Sequence, residues 1–451
     1  MNHAYDRLTL RLNASERYQT IVGFGGGISD SAAINWKDLS PELQDYFIQS
    51  YFGENGLEYN MLRTPIGGTD YSTRFYSYND LPKNDAALTN FTFTEEDIKY
   101  KIPMFKASMA MSKTPIYVIG STWSPPLWMK TNESIIGFTQ LKFEYYQTYA
   151  DFHLKFIELY SSAGIPIWAI TTTNEPLNGV LELSAYNTLG WSLKNLGEWI
   201  FQNLGPTIRN SKFKDVKIIT SDDQRLTIPY FVYMLLVLTP QAIDYIDGFG
   251  VHFYSDQVVP PSVYESININ YEYGDKFIIA TEACEGSFPW ETIKVAYGSW
   301  ERAFSYTLGI IQDLNYNFVG WMDWNLCLDT QGGPNWAGNY VDAAIIVDKS
   351  KQEFIKQPMF YAMGHFSKFI PRGSMRIQAN ETSYCPPSSN LYKTAFITPK
   401  NTIVVNLYND DRARTINLQI ENQQATVHLE ADSITTVEFL QTQNCNLNKK
   451  N

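Results

Sequence analysis

The stretch that decides the fold is residues 167–179, IWAITTTNEPLNG. It begins with apolar residues, continues through three threonines and then reads Asn174-Glu175-Pro176. A short apolar run that turns polar abruptly is typical of a buried parallel strand leaving its core. Because Pro176 cannot donate to a sheet ladder, we predict that the strand ends before it and that Glu175 has an extended backbone. The stretch therefore predicts a carboxylic acid at the carboxyl end of a buried strand, where α/β barrels carry their chemistry.

The composition predicts a large ordered protein. The chain has 451 residues, 44% of them apolar and 18% charged, which is enough for one large domain and a smaller one. Aromatic residues reach 15%; most are expected in the core, and the others suit clefts that bind sugars. The net charge is −12 and no basic cluster occurs beyond Lys449-Lys450, so we predict no nucleic-acid partner.

The cysteines give no metal pattern. Their spacing matches none of the common zinc or iron–sulfur motifs, so we predict neither a metal nor a cofactor. We expect Cys284 and Cys327 to be free and buried on barrel strands. Cys385 and Cys445 are able to pair or to remain free, and the sequence leaves both alternatives open.

Signals for the cellular compartment conflict. The first residues, MNHAYDRLTLRLN, lack the apolar region of a signal peptide, and no window of about 18 residues is uniformly apolar. N-x-[ST] sequons nevertheless favour the secretory route. Either the chain is cytosolic or, as we prefer, its true N-terminus has been lost. The candidate glycosylation sites are Asn13, Asn90, Asn132 and Asn380.

Eight apolar strand candidates alternate with amphipathic helical segments such as residues 145–161 and 301–314. Eight such repeats predict an α/β fold, a (β/α)8 TIM barrel, with a doubly wound sheet as the structural alternative. The glycine-rich residues 25–30 are interpreted as a tight turn at the barrel mouth. The predicted strands are residues 21–24, 59–63, 116–120, 167–172, 216–220, 248–252, 277–281 and 318–321.

Beyond the barrel the pattern changes to short strands separated by turn residues, which predicts an appended antiparallel β-sandwich domain. Alternation at Leu8, Leu10 and Leu12 indicates an early strand that completes this sandwich. The predicted organisation is residues 1–19 as the first sandwich strand, 20–366 as the catalytic barrel, 367–443 as the C-terminal sandwich and 444–451 as a tail.

A second carboxylate, Glu282, follows the seventh predicted barrel strand, while Glu175 follows the fourth. Two carboxyls facing each other across a barrel mouth are the minimal machinery of glycoside hydrolysis, and a separation of about 5 Å indicates retention. We predict that Glu282 is ionised and acts as nucleophile. Glu175 is the predicted acid/base, kept protonated by the charge of Glu282 and by partial desolvation. Taken alone, Asn174-Glu175-Pro176 is more often an ordinary strand-end turn, and it is the pair of strand-end glutamates that favours chemistry.

Motifs along nearly the whole chain resemble the lysosomal glucosylceramidases (acid β-glucosidases) of glycoside hydrolase family 30. They are long, which makes a chance match an inadequate explanation. The matching segments are GFGGGISD (23–30), LRTPIGGTDYSTRFYSY (62–78), STWSPPLWMKTN (121–132), TNEP (173–176), DDQR (222–225), VHFY (251–254), TEAC (281–284), GWMDWNL (320–326), GGPNW (332–336) and KQPMFYAMGHFSKFIP (356–371).

The resemblance implies a retaining hydrolase that cleaves the β-glucosidic bond of glucosylceramide to glucose and ceramide. It implies a lysosomal location, an anionic membrane surface and a saposin-type activator. Related endo-glycanases acting on β-1,6-glucan or xylan, or an inactive glycolipid-binding homologue, are the alternatives. By position, the resemblance assigns Glu175 as acid/base and Glu282 as nucleophile, and it assigns glucose binding to Asp70, Trp123, Asn174, Trp324 and Asn339.

Three further residues are predicted to support the site. Arg63 matches a family arginine near the nucleophile, although a buried structural salt bridge explains it equally well. Tyr254 is placed to donate to Glu282, and His252 to orient neighbouring side chains. Cys284 has no predicted catalytic role, and Glu285 is expected to point away from the nucleophile, with a raised nucleophile pKa as the alternative outcome.

Overall fold

The computed structural model describes residues 8–181, 184–271, 275–382 and 390–441. Its first strand, β1 (Leu8–Thr20), belongs to the β-sandwich domain, and the next eight strands close into a parallel barrel. The predicted TIM barrel is therefore confirmed. The barrel strands are β2 (Gly23–Gly27), β3 (Met61–Pro65), β4 (Tyr117–Ser121), β5 (Ile167–Thr171), β6 (Lys217–Gln224), β7 (Gly248–His252), β8 (Phe277–Glu282) and β9 (Phe318–Asn325).

Helices follow the barrel strands on the outside. The amphipathic segments predicted at 145–161 and 301–314 form α4 and α10. The α-helices are α1 (Asp30–Lys37), α2 (Pro41–Phe52), α3 (Ile102–Met111), α4 (Tyr146–Ser162), α5 (Asn178–Leu181), α6 (Leu193–Trp199), α7 (Gly205–Arg209), α8 (Ile228–Tyr233), α9 (Glu265–Asn270), α10 (Trp300–Asn315) and α11 (Pro358–Ser367). Turns of π-helix lie at Asp97–Lys101, Ile200–Leu204 and Met234–Leu238. Short 3-10 helices lie at Leu127–Met129, Phe143–Tyr145, Arg225–Thr227, Pro240–Asp244, Phe253–Ser255 and Pro261–Tyr264.

The glycine-rich run closes the barrel and is not the predicted turn. Its glycines lie within β2, whose neighbours are β3 and β9. A Cβ on Gly25 would lie 1.8 Å from the Met61 carbonyl oxygen, and one on Gly27 would lie 2.0 Å from the Trp324 carbonyl oxygen. Such close backbone approach admits only glycine, so the run serves packing where β2 joins the two ends of the barrel.

The sandwich domain is built on a seven-stranded sheet in the order β17-β16-β1-β13-β14-β15-β18. β1 pairs antiparallel with β13 and parallel with β16, so the first described strand lies inside the sheet. Leu10, Ile377 and Leu418 contribute to its buried core. A small sheet of β10 (Leu328–Asp329), β11 (Ile345–Asp348) and β12 (Glu353–Lys356) precedes α11. The remaining strands are β13 (Met375–Thr382), β14 (Leu391–Ile397), β15 (Thr402–Asn409), β16 (Arg414–Ile420), β17 (Gln423–Leu429) and β18 (Ser433–Leu440).

The structure also describes two of the cysteines, the helices and the sequons. Cys284 and Cys327 are buried free thiols, as predicted, but the expectation that they lie on barrel strands is wrong, because each follows the end of its strand by two residues. Cys385 and Cys445 lie outside the described residues. Within the described ranges, no helix combines the length and apolar character needed to cross a bilayer. The sequon asparagines are all exposed, namely Asn13, Asn90, Asn132 and Asn380.

Candidate active site

The barrel topology brings the two predicted carboxylates together. Glu175 lies four residues after the end of β5 and Glu282 is the last residue of β8. A carboxylate oxygen of each and one ring nitrogen of His252 all lie within 4.8 Å of one another. Both carboxylates line a cavity of about 450 Å³ at the carboxyl ends of the barrel strands. This separation is the one typical of retaining glycosidases, because inverting enzymes hold their carboxyls about 6.5–9.5 Å apart.

The expectation of an extended backbone at Glu175 is wrong. Its φ is 44°, in the left-handed region that non-glycine residues seldom occupy. The Glu175 N–H donates to the Asp222 carbonyl at 2.9 Å, and the preceding N–H of Asn174 donates to the Thr122 carbonyl at 2.9 Å. These two hydrogen bonds fix the conformation of the turn. They outweigh the preference for an extended backbone that Pro176 imposes on Glu175. Strain of about 1–3 kcal/mol held in this way is common at active sites.

Four donors surround the Glu175 carboxyl, two on each oxygen. Gln224 Nε2 lies 2.7 Å and His252 Nδ1 lies 3.0 Å from Oε1. Asn178 Nδ2 lies 2.5 Å and the Tyr186 hydroxyl lies 3.1 Å from Oε2. None of these contacts was predicted from the sequence. Asn178 and Tyr186 come from the segment that follows Glu175, and their residue types alone do not identify them among many polar residues.

The Glu282 carboxylate contacts a buried cation and a phenol. Arg63 Nη1 donates to its Oε2 at 2.5 Å, and the Tyr254 hydroxyl donates to its Oε1 at 2.9 Å. Burial raises the pKa of Glu282, and the positive charges of His252 and Arg63 oppose that rise. Arg63 therefore forms buried salt bridges with Asp222 and with Glu282, the predicted nucleophile.

Asp222 joins the two cations beneath the catalytic carboxylates. Its Oδ2 accepts from Arg63 Nη2 at 2.8 Å, and its Oδ1 accepts from His252 Nε2 at 3.1 Å and from the Thr281 hydroxyl at 2.7 Å. Burial opposes its ionisation, but Arg63 and the hydrogen bond from His252 hold the pKa of Asp222 well below its usual range. Asp222 therefore remains a carboxylate throughout the pH range in which an ordinary aspartate is ionised.

A β-bulge aims Asp222 at these partners. The pairing of β6 with β7 shifts between Ser221 and Asp223, which leaves Asp222 as an extra residue with a φ of 50°. Asp222 lies in the motif DDQR, from which no role for it was predicted. A signal was present, because Asp222 follows the apolar part of a barrel strand just as Glu175 and Glu282 do.

His252 is a buried imidazolium. Burial lowers its pKa, but Glu282 and the hydrogen bonds to Asp222 and Glu175 more than offset this and raise the pKa of His252 to about 10. Both ring nitrogens then carry protons, so Nδ1–H donates to Glu175 and Nε2–H donates to Asp222. His252 was expected to orient neighbouring side chains, and the structure places its ring between the carboxylates of Glu175 and Asp222.

One wall of the cavity suits a sugar. Trp123 and Trp324 stack with their ring centroids 5.0 Å apart, and Asp70 accepts from Asn339 Nδ2 at 2.9 Å. All four residues line the cavity. Burial raises the pKa of Asp70 to about 7. A buried carboxyl beside stacked indoles offers paired acceptors for hydroxyls and an apolar face for a pyranose ring.

Asn174 and Glu285 lie apart from the cavity lining. Asn174 is buried and its Oδ1 accepts from Arg63 Nη2 at 2.7 Å, so it holds the arginine that contacts Glu282. Glu285 is buried, its backbone carbonyl accepts from the Asp342 N–H, and its carboxyl is influenced by Ser305 and Arg302. It therefore points away from Glu282. Cys284 Sγ lies 3.3 Å from the Tyr254 hydroxyl.

Glu175, His252 and Glu282 are also the group of potential metal ligands that the described ranges bring together. Their chemistry does not fit a metal site. Both nitrogens of His252 are occupied by carboxylates, and the Arg63 guanidinium already neutralises Glu282. The donor set is suited instead to holding one carboxylate ionised and delivering a proton from the other.

Comparison with known proteins agrees with this fold. Residues 21–370 match the glycosyl hydrolase family 30 TIM-barrel domain, and residues 373–437 match the family 30 beta sandwich domain. The chain is 40% identical over 407 residues to lysosomal acid glucosylceramidase of Mus musculus, covering 89% of this chain and 77% of the mouse protein. It is 43% identical over 373 residues to putative glucosylceramidase 3 of Caenorhabditis elegans, covering 82% of this chain and 70% of that protein.

Among solved structures, an endo-β1,6-glucanase superposes with a TM-score of 0.85 at 24% identity, covering 96% of this chain and 94% of that chain. This likeness shows the shared fold, while the family matches extend over both domains. The chain therefore belongs to glycosyl hydrolase family 30.

Proposed function

We propose that the protein is a retaining β-glucosidase that hydrolyses glucosylceramide to glucose and ceramide. The observation that carries the proposal is the pair Glu175 and Glu282, whose nearest oxygens lie within 4.8 Å inside a cavity with a sugar-binding wall. That spacing is nearer to the about 5–5.5 Å between the carboxyls of retaining enzymes than to the about 6.5–9.5 Å of inverting ones. The similarity to glucosylceramidases supports the choice of substrate.

In the proposed first step an oxygen of Glu282 bonds to the anomeric carbon while the glycosidic bond breaks. Glu175 gives its proton to the departing oxygen, which leaves as the hydroxyl of ceramide. In the second step Glu175 takes a proton from water, whose oxygen displaces Glu282 and releases glucose. Arg63 and Tyr254 contact the Glu282 carboxylate and orient it for attack.

Exposed apolar residues near the cavity suit the lipid part of the substrate. They follow the carboxyl ends of four consecutive barrel strands, β5 to β8, and therefore belong to the same end of the barrel as the cavity. Large exposed apolar surface of this kind marks interaction sites. A compact sugar cavity with exposed apolar residues at the same end of the barrel suits a glycolipid better than a polysaccharide, which needs a long open groove. The residues are Leu181, Leu226, Val258, Trp290 and Ile293.

The proposed setting is the surface of an anionic membrane in the lysosome. The mouse relative is named as lysosomal, and the exposed sequon asparagines are compatible with passage through the secretory route. A saposin-type activator is proposed as the partner that presents the lipid. In an acidic compartment the net charge of −12 falls in magnitude, which reduces repulsion from anionic lipid.

The test is turnover of glucosylceramide in anionic vesicles near pH 5, compared with β-1,6-glucan and xylan. We expect glucose from the glycolipid and a loss of about 10³-fold or more in Glu282→Gln, because the nucleophile is removed. Glu285→Gln is the matched control, since it makes the same isosteric change three residues away and is expected to keep activity. Turnover confined to the polysaccharides would assign the protein to the endo-glycanases of the family.

A further inference from the structure

The two oxygens of the Glu175 carboxyl have different hydrogen-bonding partners. Oε1 accepts from His252 Nδ1–H and from Gln224 Nε2. Because His252 is an imidazolium held by Asp222 and Glu282 as well, its proton stays on the ring. Oε1 thus faces two donors and has no room for a proton of its own. The proton that Glu175 delivers is therefore carried by Oε2.

The two neighbours of Oε2 differ in whether they are able to accept a hydrogen bond. Asn178 donates through its amide nitrogen, which has no lone pair to accept a hydrogen bond. The Tyr186 hydroxyl, 3.1 Å away, both donates and accepts, and it changes role by rotating about one bond. Burial raises the pKa of Tyr186 well above its usual value, so its hydroxyl keeps its proton in either protonation state of Glu175.

We propose that Tyr186 is a positioning residue for the general acid, accepting a hydrogen bond from protonated Glu175 and donating one to the carboxylate that remains after proton transfer. This inference rests on the proposed function. Before glycosidic cleavage the Glu175 Oε2–H is held toward the Tyr186 oxygen, beside the departing group. Once the proton has moved to the glycosidic oxygen, the tyrosine hydroxyl rotates and stabilises the negative charge left on Glu175.

The placement of Tyr186 agrees with this role. It lies in the segment between α5 and α6, its ring is half-buried, and it lines the cavity together with Glu175 and Glu282. Tyr254 is its counterpart on the opposite carboxylate, because its hydroxyl donates to Glu282 at 2.9 Å. The two tyrosines therefore provide a matched pair of substitutions, one acting on the acid and one acting on the nucleophile.

The test measures kcat/KM for a series of aryl β-glucosides whose phenols range from acidic to weakly acidic. A good leaving group departs without a proton, whereas a poor one needs the general acid. We expect Tyr186→Phe to lose about tenfold on the poorest leaving groups, as for one lost charge-assisted hydrogen bond, and little on the best. Tyr254→Phe is expected to lose a similar factor across the whole series.

Thermal unfolding of both variants provides the folding control, and each is expected to match wild type because the ring packing is kept. A uniform loss in Tyr186→Phe, or no loss on poor leaving groups, would overturn the role of Tyr186. If the wild-type chain hydrolyses none of the glucosides, the proposed function fails together with this inference. An active wild type with a uniform loss in Tyr186→Phe leaves the proposed function intact and rejects only the inference.

Discussion

At the scale of single residues, two neighbouring aspartates show how burial and pairing set charge. Asp222 is fully buried but contacts Arg63 and His252, and its pKa lies well below the usual range. Asp223 accepts from the backbone amides of Gln224 and Leu177, and burial raises its pKa to about 7. Near pH 5, Asp222 is therefore negatively charged, whereas the adjacent Asp223 on the same strand is neutral.

This contrast predicts different costs for the same substitution. Asp222→Asn is expected to destabilise the fold by about 3–5 kcal/mol, because it removes the buried carboxylate that Arg63 and His252 share. Asp223→Asn is expected to cost less than about 1 kcal/mol at pH 5, because it replaces a carboxyl that is already neutral. Urea unfolding near pH 5 measures both. Equal losses in the two variants would contradict the assigned charge states.

At the scale of elements, the sequence predicts what hydrophobic periodicity encodes. The eight barrel strands and the positions of Glu175 and Glu282 follow from apolar runs with polar ends. β13, MRIQANET, carries no clear apolar alternation, because its residues are mostly polar and only partly buried. The left-handed backbone of Glu175 and the bulge at Asp222 were missed because both depend on hydrogen bonds to neighbouring strands, which no local pattern reveals.

The position of β1 inside the sandwich sheet gives the element-scale prediction. Leu10 on β1 is fully buried among residues of other strands, while the next residue, Arg11, is exposed. Leu10→Ala is expected to destabilise the protein by about 2–5 kcal/mol, since it opens a cavity in the sheet's core. Arg11→Ala is the control, with an expected change within about 0.5 kcal/mol. Denaturant unfolding compares them, and similar midpoints would contradict the placement of β1.

At the scale of the whole molecule, buried acids link stability to pH. Burial raises the pKa of Asp70, Asp223 and Glu285 to about 7. Each of these acids binds its proton more tightly in the folded protein than in the unfolded chain. Its contribution to folding stability is therefore complete below its unfolded pKa, near 4, and is lost as the pH rises through 7. His252, with a pKa of about 10, loses its contribution between about pH 6.5 and 10. The stabilising contribution of Asp222 is instead lost as the pH falls, and this loss begins only below about pH 4.

The protein is therefore expected to be more stable near pH 5 than near pH 7.5. Each of the three acids contributes up to about 1.4 kcal/mol per pH unit over the range in which it titrates. Thermal unfolding across this range measures the effect. Glu285→Gln is expected to flatten the dependence without loss of activity, because its side chain lies outside the catalytic cavity. A Tm that rises from pH 5 to 7.5 would contradict the charge states of these acids.

The central claim is that Glu282 attacks the sugar while Glu175 supplies the proton. Its most direct measurement is peptide mass spectrometry after inactivation with a 2-deoxy-2-fluoro-β-glucoside bearing a good leaving group, which traps the covalent intermediate of a retaining enzyme. We predict that the peptide containing Glu282 carries the fluorosugar, one per chain, and that Glu282→Gln remains unlabelled. A label on Glu175 or elsewhere, or inactivation without any covalent adduct, would contradict the claim.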